Sequence, residues 1–335
     1  MILSIHLTSV LLGWNLKEIA NSVNRRNSAT WEASERTRFA TWTEDEFKAM
    51  NTAKHLPYWV KRIDPSIGMN SEIPEEYDAQ TAFPKCDSID YVYDQGHCGS
   101  CWAMCAFEVL QDRFCIHSNA EVNVRLSGQD VTNCASRSNG CKGGWHSAAF
   151  SYMQNYGVPL DTCVPYVMGE CDHPGCSVWP TPPCVKECVA GGGEYDKNKY
   201  YGNSSYAIVG TEKAIQAEIL KNGPVTGVFT TFADIATYKK GVYTHVTGGN
   251  DGLHAIKISG WGVMDVNGQK VKYWKIVNSW NRNFGDNGML YIKRGTNECG
   301  IEKDVYAGMP DLSKVVPGSP RESVRREHLS YFDRK

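Results

Sequence analysis

Cys101 is the residue in this chain with the clearest signs of chemistry. It ends the polar, glycine-containing stretch 95–101, QGHCGSC, and an apolar run at helical spacing continues to Phe114. This pattern predicts a loop that turns into a helix whose first turn holds Cys101. A helix N-terminus favours negative charge, so the thiol there is biased towards the nucleophilic thiolate. The competing interpretation is half of a disulfide or a small buried residue, because the chain has 13 cysteines.

His254 and Asn278 are predicted to be neighbours on one sheet. The runs 254–264, 271–277 and 288–294 have strand composition, and Asn267-Gly268 is a hairpin signal between the first two. Antiparallel pairing about that turn puts His254 near Asn278, within the shift that a bulge or a longer loop allows. A single histidine at a strand end is usually an ordinary surface residue. Together with the asparagine and the helix-start cysteine, it favours nucleophilic catalysis by a thiol.

These residues carry a family resemblance. The motif CGSCW at 98–102, followed far downstream by His254 and Asn278, resembles the local signature of the papain family of cysteine proteases, and further stretches are similar to its cathepsin B-like members. The resemblance implies an α+β, two-lobed papain-like fold. The helical lobe would come first, the β-rich lobe second, and the active-site cleft would lie between them.

The resemblance also implies a role for each residue of the site. His254 would pair with Cys101 and depress the thiol pKa, giving a thiolate–imidazolium pair. Asn278 would hold the imidazole in position. Trp280 would cover that hydrogen bond from water. The Gln95 side-chain amide and the Cys101 backbone N–H would donate to the oxyanion. Since all four residues are present, an inactive relative is not indicated.

Several further positions are expected to contact substrate. Gly143 and Gly144 resemble the glycine edge that lets substrate backbone lie close, although a plain turn also explains them. Asp304 stands where cathepsin B-like enzymes carry an acid in the S2 pocket, and a surface acid is the alternative. Leu253 replaces a usual glycine beside that pocket. Phe284 replaces a usual tryptophan on the primed side of the cleft.

The stretch 171–176, CDHPGC, matches the occluding loop of cathepsin B-like enzymes, where two adjacent histidines bind the carboxylate of the substrate C-terminus. His173 matches the first histidine, Pro174 replaces the second, and the loop is short. The alternative for His173 is an ordinary exposed loop residue. Loss of one imidazole removes a charge-assisted hydrogen bond. We therefore expect mainly endopeptidase activity, with at most weak dipeptidyl carboxypeptidase activity.

The remaining cysteines are expected to be mostly paired. Sequence alone leaves many connectivities open. The resemblance implies five disulfides and leaves Cys101, Cys105 and Cys299 unpaired. The implied pairs are Cys86–Cys115, Cys98–Cys141, Cys134–Cys184, Cys163–Cys188 and Cys171–Cys176. A metal site made from Cys101, Cys105 and His254 lacks zinc-type spacing, so no metal or other cofactor is expected.

Composition limits the class of protein. The 335 residues allow about two domains of ordinary size, and 35 Lys and Arg against 37 Asp and Glu give no basic excess, so a nucleic-acid partner is not indicated. The cysteine count fits an oxidising compartment.

No apolar run approaches the length of about 20 residues that a membrane helix needs. We expect a lysosomal or secreted location, and the sequon Asn203-Ser204-Ser205 would then be a candidate glycosylation site.

Four segments are predicted along the chain. Residues 1–13 are a weak match to a signal peptide, 14–72 an inhibitory propeptide, 73–310 the peptidase domain and 311–335 a polar, solvated tail. The cysteine-free segment 14–72 holds two predicted helices and four tryptophans suited to anchoring it on a partner surface. Composition alone would also allow it to be the first subdomain of the mature protein. Its four tryptophans are Trp14, Trp31, Trp42 and Trp59.

The function expected from these features is a cysteine-type endopeptidase made as a zymogen. Its partners would be protein and peptide substrates, its own propeptide and cystatin-type inhibitors, the last by family resemblance. The alternative is a catalytically silent, disulfide-rich secreted binding protein on the same scaffold. The intact set Cys101, His254, Asn278 and Gln95 argues against that alternative.

Overall fold

The chain folds as helices packed against a mixed sheet, and a computed structural model describes residues 14–69, 72–169, 175–197 and 199–315. Its helices are α1 (Leu16–Asn24), α2 (Glu44–Met50), α3 (Ala79–Ala82), α4 (Cys101–His117), α5 (Gly128–Cys134), α6 (His146–Tyr156) and α7 (Glu212–Asn222). Its strands are β1 (Trp31–Ala33), β2 (Arg62–Ile63), β3 (Tyr77–Asp78), β4 (Gly202–Ile208), β5 (Val225–Phe232), β6 (Tyr238–Tyr243), β7 (Asn250–Val266), β8 (Gln269–Val277), β9 (Met289–Lys293) and β10 (Asp304–Pro310).

The predicted fold class, α+β, is confirmed. In the peptidase part, the short β3 and α3 precede helices α4, α5 and α6, and the strands that follow these helices make most of one sheet. The strand order is β1-β6-β9-β8-β7-β5-β10-β4-β2, with β3 paired to β7. The helical half and the sheet-rich half each have an apolar core of their own.

Helix α4 is the central helix of the molecule. Every residue from Cys101 to Ile116 is buried, and the helix packs against β7, β10 and α6. A helix that is covered on all sides is typical of a protein core. Its N-terminus is therefore held rigidly at the end where Cys101 lies.

The β7–β8 hairpin follows the prediction from its turn. Asn267 and Gly268 both have positive φ, as a type I′ turn requires, and Val266 pairs with Gln269. A bulge between Ile258 and Gly260 shifts the register by one residue further along. This shift decides which side chain of β8 and its following loop faces His254.

The N-terminal segment packs as an ordered part of the molecule. Strand β1 pairs with β6, and Thr43 and Glu46 form the predicted capping box of α2. Trp31 and Trp42 are buried in the same core as the sheet. The prediction that Trp59 is an anchor is wrong: it is 72% exposed and packs edge-on against Tyr58 in a surface turn.

The chain ends differ from the expectation in one respect. Residues 311–315 are ordered and include a short 3₁₀-helix at Leu312–Lys314, held by a hydrogen bond from the Asp311 N–H to the Tyr201 carbonyl. The tail is therefore structured at its start. The rest of the tail and the proposed signal peptide, residues 316–335 and 1–13, lie outside the described residues.

Candidate active site

Cys101 lies at the position that its sequence pattern predicts. It is the first residue of α4, and its side chain is fully buried. Around it pack Cys105 from the next turn of the helix, Val228 and Ala255 from the sheet, and Ala53 from the N-terminal segment. The sulfur therefore lies between the helix, the sheet and a segment that precedes the peptidase part.

His254 and Asn278 form a direct hydrogen bond. The His254 Nε2 lies 2.8 Å from the Asn278 Oδ1, which also accepts the Ser279 N–H. An amide oxygen only accepts, so Nε2 carries the proton and the imidazole presents a bare Nδ1. That Nδ1 is buried and has no hydrogen-bond partner among the described residues. Because Ala255, the next residue, contacts Cys101, the imidazole belongs to the same site.

Trp280 covers the histidine. Its ring stacks on the imidazole of His254 with centroids 4.4 Å apart and an angle of 23°. Phe284 packs edge-on against Trp280 at 4.8 Å. These rings are buried, so they exclude water from the His254–Asn278 hydrogen bond and keep it strong.

The Gln95 side chain is aimed by its neighbours. Its Oε1 accepts the hydroxyl of Ser279 at 2.8 Å, and its Nε2 donates to the Cys98 carbonyl at 2.8 Å. The same Nε2 lies 3.3 Å from the Met50 carbonyl, at the end of α2. The Met50 carbonyl of the N-terminal segment thus accepts a hydrogen bond from the Gln95 amide, which is the predicted oxyanion donor.

The protonation state of the pair differs from the sequence-based expectation. Burial raises the pKa of Cys101 to about 11. Backbone N–H groups near the sulfur lower that pKa, and the N–H of Ala255 has the largest such effect. Burial lowers the pKa of His254 to about 4. In this closed form, burial therefore favours the neutral thiol and the neutral imidazole. The physical reason is that Thr52 and Ala53 cover the sulfur, so water cannot solvate two charges.

Residues 51–54 occupy the cleft as an extended strand. The Leu253 N–H donates to the Asn51 carbonyl at 2.9 Å, and the Ala53 N–H donates to the Leu253 carbonyl at 3.0 Å. On the other side, the Lys54 N–H donates to the Gly144 carbonyl at 3.0 Å. Both pairings are parallel. The strand therefore uses backbone hydrogen bonds on both edges of the cleft.

Gly143 permits this close approach. Its φ is +99°, and a Cβ at this position would lie 2.1 Å from the Thr52 carbonyl oxygen. Both the backbone conformation and the space exclude a side chain. The plain-turn explanation of this glycine pair is thus insufficient, because the N-terminal segment runs directly against Gly143.

Asp304 lies at the first position of β10 and is almost fully buried. Two basic side chains of the N-terminal segment meet its carboxylate. The imidazole Nδ1 of His55 contacts one oxygen, and the Arg62 guanidinium is 3.4 Å from the other. The surface-acid alternative is therefore wrong. Sequence analysis missed both partners, although basic residues in a segment expected to cross an acidic pocket were the available signal.

Glu46 joins the N-terminal segment to the loop after residue 174. Its Oε1 accepts the N–H groups of Gly175 and Cys176 at 2.6 and 3.0 Å, while its Oε2 completes the capping box at Thr43. His173 and Pro174 lie outside the described residues.

Four disulfides have both cysteines among the described residues, and all four are among the five pairs that the resemblance implies. Cys171 of the fifth pair lies outside the described residues, whereas its predicted partner Cys176 is disulfide-bonded. Cys101, Cys105 and Cys299 are free thiols. The four bonds are Cys86–Cys115, Cys98–Cys141, Cys134–Cys184 and Cys163–Cys188.

The described ranges contain neither a metal-binding cluster nor a membrane-spanning helix. Between residues 14 and 315, omitting the gaps given above, no group of three or more His, Cys, Asp or Glu side chains is placed to hold a metal ion. In the same ranges no helix has the length and apolar character needed to cross a membrane.

Comparisons with known proteins agree with this geometry. Residues 73–309 match the family described as papain family cysteine protease, Peptidase_C1. The chain is 40% identical to cathepsin B-like protease 1 of Arabidopsis thaliana, over 93% of this chain and 87% of that protein. It is 35% identical to a cathepsin B-like cysteine proteinase of Schistosoma japonicum, over 87% of this chain and 90% of that protein.

A solved zymogen has the same overall structure. The procathepsin B S9 from Trypanosoma congolense superposes with a TM-score of 0.80 at 30% identity, over 89% of this chain and 99% of that one. The family match spans Gln95, Cys101, His254 and Asn278. The chain belongs to the papain family of cysteine proteases, among its cathepsin B-like members.

Proposed function

We propose that the chain is the zymogen of a cysteine-type endopeptidase, with residues 14–72 as inhibitory propeptide and 73–310 as the peptidase domain. One observation carries the proposal: the short stretch 50–55 contacts the site at three separate points. It meets Gln95 through the Met50 carbonyl, covers Cys101 with Ala53 and meets Asp304 through His55. A segment seated in this way excludes substrate.

The direction of the segment fits inhibition rather than cleavage. Residues 51–54 run parallel to both cleft edges at Gly144 and Leu253. The family resemblance implies that a propeptide crosses the cleft in the opposite direction to a substrate. An amide bond presented backwards does not offer its carbonyl to the thiol and the oxyanion donors in the productive geometry, so it resists attack.

Release of the segment would assemble the reactive pair. Water would then reach Cys101 and His254, and the burial that keeps both neutral would be relieved. The bare Nδ1 of His254 faces no other partner among the described residues, so it is free to take the thiol proton. Asn278 would retain the imidazolium through Nε2, since its oxygen accepts from that nitrogen at 2.8 Å.

The chemical steps follow from these roles. The thiolate of Cys101 attacks the amide carbonyl, and the oxyanion accepts from the Cys101 N–H and the Gln95 Nε2. The imidazolium of His254 protonates the leaving amine as the C–N bond breaks and a thioester remains. Water, deprotonated by the same imidazole, then attacks the thioester and releases the acid product and the thiol.

The test is labelling of Cys101 by a thiol-reactive epoxide, with hydrolysis of a peptide library in parallel. The processed enzyme should be labelled at Cys101 and cleave peptides, whereas the full chain at neutral pH should do neither. Cys105→Ala is the matched control, because Cys105 is a free buried thiol that should not react. Cys101→Ala should abolish both signals. Absence of labelling in the processed protein would favour the silent binding protein.

Internal cleavage should predominate over removal of C-terminal dipeptides. The reasons are in the sequence: the loop 171–176 is short, and Pro174 replaces one of two carboxylate-binding histidines. Matched peptides with free and amidated C-termini should be cleaved at similar rates. A strong preference for the free acid that disappears in His173→Ala would overturn this part of the proposal.

Partners and location follow from the same proposal. The unblocked cleft should bind cystatin-type inhibitors, so a cystatin should bind the processed enzyme and not the full chain. Disulfides form in oxidising compartments, which supports a lysosomal or extracellular site. Asn203 is exposed on β4, and a glycan found there by mass analysis of native material would support passage through the secretory route.

A further inference from the structure

One face of the β5–β10 strand pair carries the polar groups beside the cleft. Asp304 pairs with Val228, and two residues on, Tyr306 pairs with Thr226. Alternate side chains of a strand point to the same face, so these four share one face. Val228 packs in the cluster that contains Cys101. The face therefore extends from the nucleophile to Asp304 and then to Thr226.

His146 joins this face from the first turn of α6. Its Nδ1 lies 2.9 Å from the Thr226 hydroxyl, and its ring packs on Tyr306 with centroids 5.5 Å apart. It follows the glycine edge Gly143-Gly144 by two residues. The imidazole of His146 is thus held against Tyr306, two residues after Asp304 on β10. Sequence analysis did not single out this histidine.

The hydrogen bonds assign the proton on the ring. The Thr226 hydroxyl also contacts the Tyr306 carbonyl at 3.0 Å. A carbonyl only accepts, so the hydroxyl donates to Tyr306 and accepts from His146. Nδ1 of His146 therefore carries the proton, and Nε2 is a bare acceptor. Burial lowers the pKa of His146 to about 4, so the ring is neutral above that pH.

That acceptor has no partner. His146 is 1% exposed, and its Nε2 is buried without a hydrogen bond among the described residues. Buried acceptors are normally satisfied, and an exception needs an explanation. A ligand that brings an N–H group to this face would satisfy it.

The zymogen shows which charge the neighbouring carboxylate attracts. Asp304 is met by His55 and Arg62 of the N-terminal segment. When the segment leaves, Asp304 loses both partners, and its carboxylate lies close enough to His146 to interact with the imidazole electrostatically. A planar guanidinium has five N–H donors and can serve both acceptors at once, while a lysine ammonium is a compact point charge.

We propose that His146 is a specificity-determining residue which, with Asp304, makes the S2 pocket select arginine over lysine at P2, the second substrate residue before the cleaved bond. This inference rests on the proposed peptidase function. Asp304 supplies attraction for either cation. His146 adds an acceptor that the guanidinium can reach while its other N–H groups remain on the carboxylate.

The test uses the processed enzyme and three peptides that differ only at P2, with Arg, Lys or Phe. In His146→Phe, which keeps a ring against Tyr306 and removes both nitrogens, kcat/KM for the P2-Arg peptide should fall about tenfold. The values for P2-Lys and P2-Phe should change by less than about twofold. Asp304→Asn is the matched comparison, in which P2-Arg and P2-Lys should fall together.

Two outcomes separate this inference from the proposed function. If the wild-type enzyme cleaves none of the three peptides, the peptidase function itself fails. If it cleaves P2-Phe well but His146→Phe leaves the ratio of Arg to Lys unchanged, only the role of His146 is overturned. Should His146→Phe not fold, His146→Gln supplies an amide donor and acceptor, and retention of the Arg preference in that variant supports the proposal, while its loss contradicts it.

Discussion

The two halves of the N-terminal segment hold the peptidase part in different ways. Residues 14–50, the anchor half, bury aromatic side chains in the core of the sheet, where Phe39 packs edge-on to Trp280 at 5.3 Å. Residues 51–69, the cleft half, use backbone hydrogen bonds and partly exposed ion pairs, and Tyr58 in this half is 90% exposed.

This difference suggests that one half of the segment provides its affinity for the peptidase part and the other half blocks the cleft. Burial of aromatic area contributes most of the binding free energy in an interface, whereas partly exposed ion pairs contribute little. The anchor half should therefore hold the segment, and the cleft half should position it over Cys101. Five changes test this division, in order of expected effect.

The largest effect is expected from Phe47→Ala in the anchor half. Phe47 is fully buried and packs against Trp14, Phe39 and Trp280. Removal of a buried phenylalanine side chain costs about 3–5 kcal/mol. The segment 14–72 carrying this change should inhibit the processed enzyme at least about a hundredfold less well, measured as an inhibition constant. The control Tyr58→Ala should be unchanged, and equal losses in the two variants would contradict the division.

Asp304→Ala tests the cleft half by removing the carboxylate of the peptidase part that His55 and Arg62 contact. Turnover of P2-Arg peptides should fall about tenfold, because a charge-assisted hydrogen bond is lost, and P2-Phe peptides should be spared. Inhibition by the segment should weaken far less, since the side chain of His55 is 48% exposed and that of Arg62 is 26% exposed. A loss of inhibition as large as that in Phe47→Ala would assign the affinity to the cleft half.

Acid should loosen the closed form through His254. Its pKa is lowered to about 4 under the segment, below its usual value of about 6.5. The stabilisation of the closed form by the neutral imidazole is complete above pH about 6.5 and is lost as the pH falls towards 4. The rate of self-processing should therefore rise over that interval, followed by gel analysis of the full chain. A flat profile would contradict this role of His254.

The pH dependence expected from Asp251 is opposite to that expected from His254, and a single substitution tests it. Burial, together with Glu44 on α2, raises its pKa to about 7, and Lys48 opposes the shift. The closed form then favours the protonated carboxyl, so its contribution is complete below pH about 4 and is lost as the pH rises towards 7. Asp251→Asn, which stays neutral, should tighten inhibition severalfold near pH 7 and hardly change it at pH 4. Equal effects at both pH values would show that the change acts through packing.

The smallest effect is expected from Glu46→Gln. The carboxylate accepts the N–H groups of Gly175 and Cys176 as well as that of Thr43. A neutral amide keeps the shape and one acceptor, and loses the charge assistance. Inhibition by the segment should weaken about threefold. No change in amide hydrogen exchange at Gly175 would indicate that this contact does not order the loop.

Much of the site was predictable because its determinants are local. The glycine-containing loop and the apolar run place Cys101 at the start of α4, and the Asn267-Gly268 turn brings His254 near Asn278. Turn type and helix start depend on a few adjacent residues. The capping box at Thr43 and Glu46 was predictable for the same reason.

Other features depend on residues that are distant in sequence. The exposure of Trp59 could not be foreseen, because composition predicts that tryptophans bury but not which of them finds a partner. The contacts of His55 and Arg62 with Asp304 join residues more than two hundred positions apart. Such pairs arise from the way the segment crosses the cleft, which no local pattern encodes.

The sequence by itself determined the family, the four residues of the site and the elements that carry them. Only the tertiary structure decided their protonation, because the pKa of Cys101 and of His254 follows from what covers them and not from their types. It also decided the surroundings of His146, whose bare Nε2 results from a hydrogen-bond chain through Thr226 to Tyr306. Burial and the direction of a hydrogen bond are properties of three-dimensional surroundings.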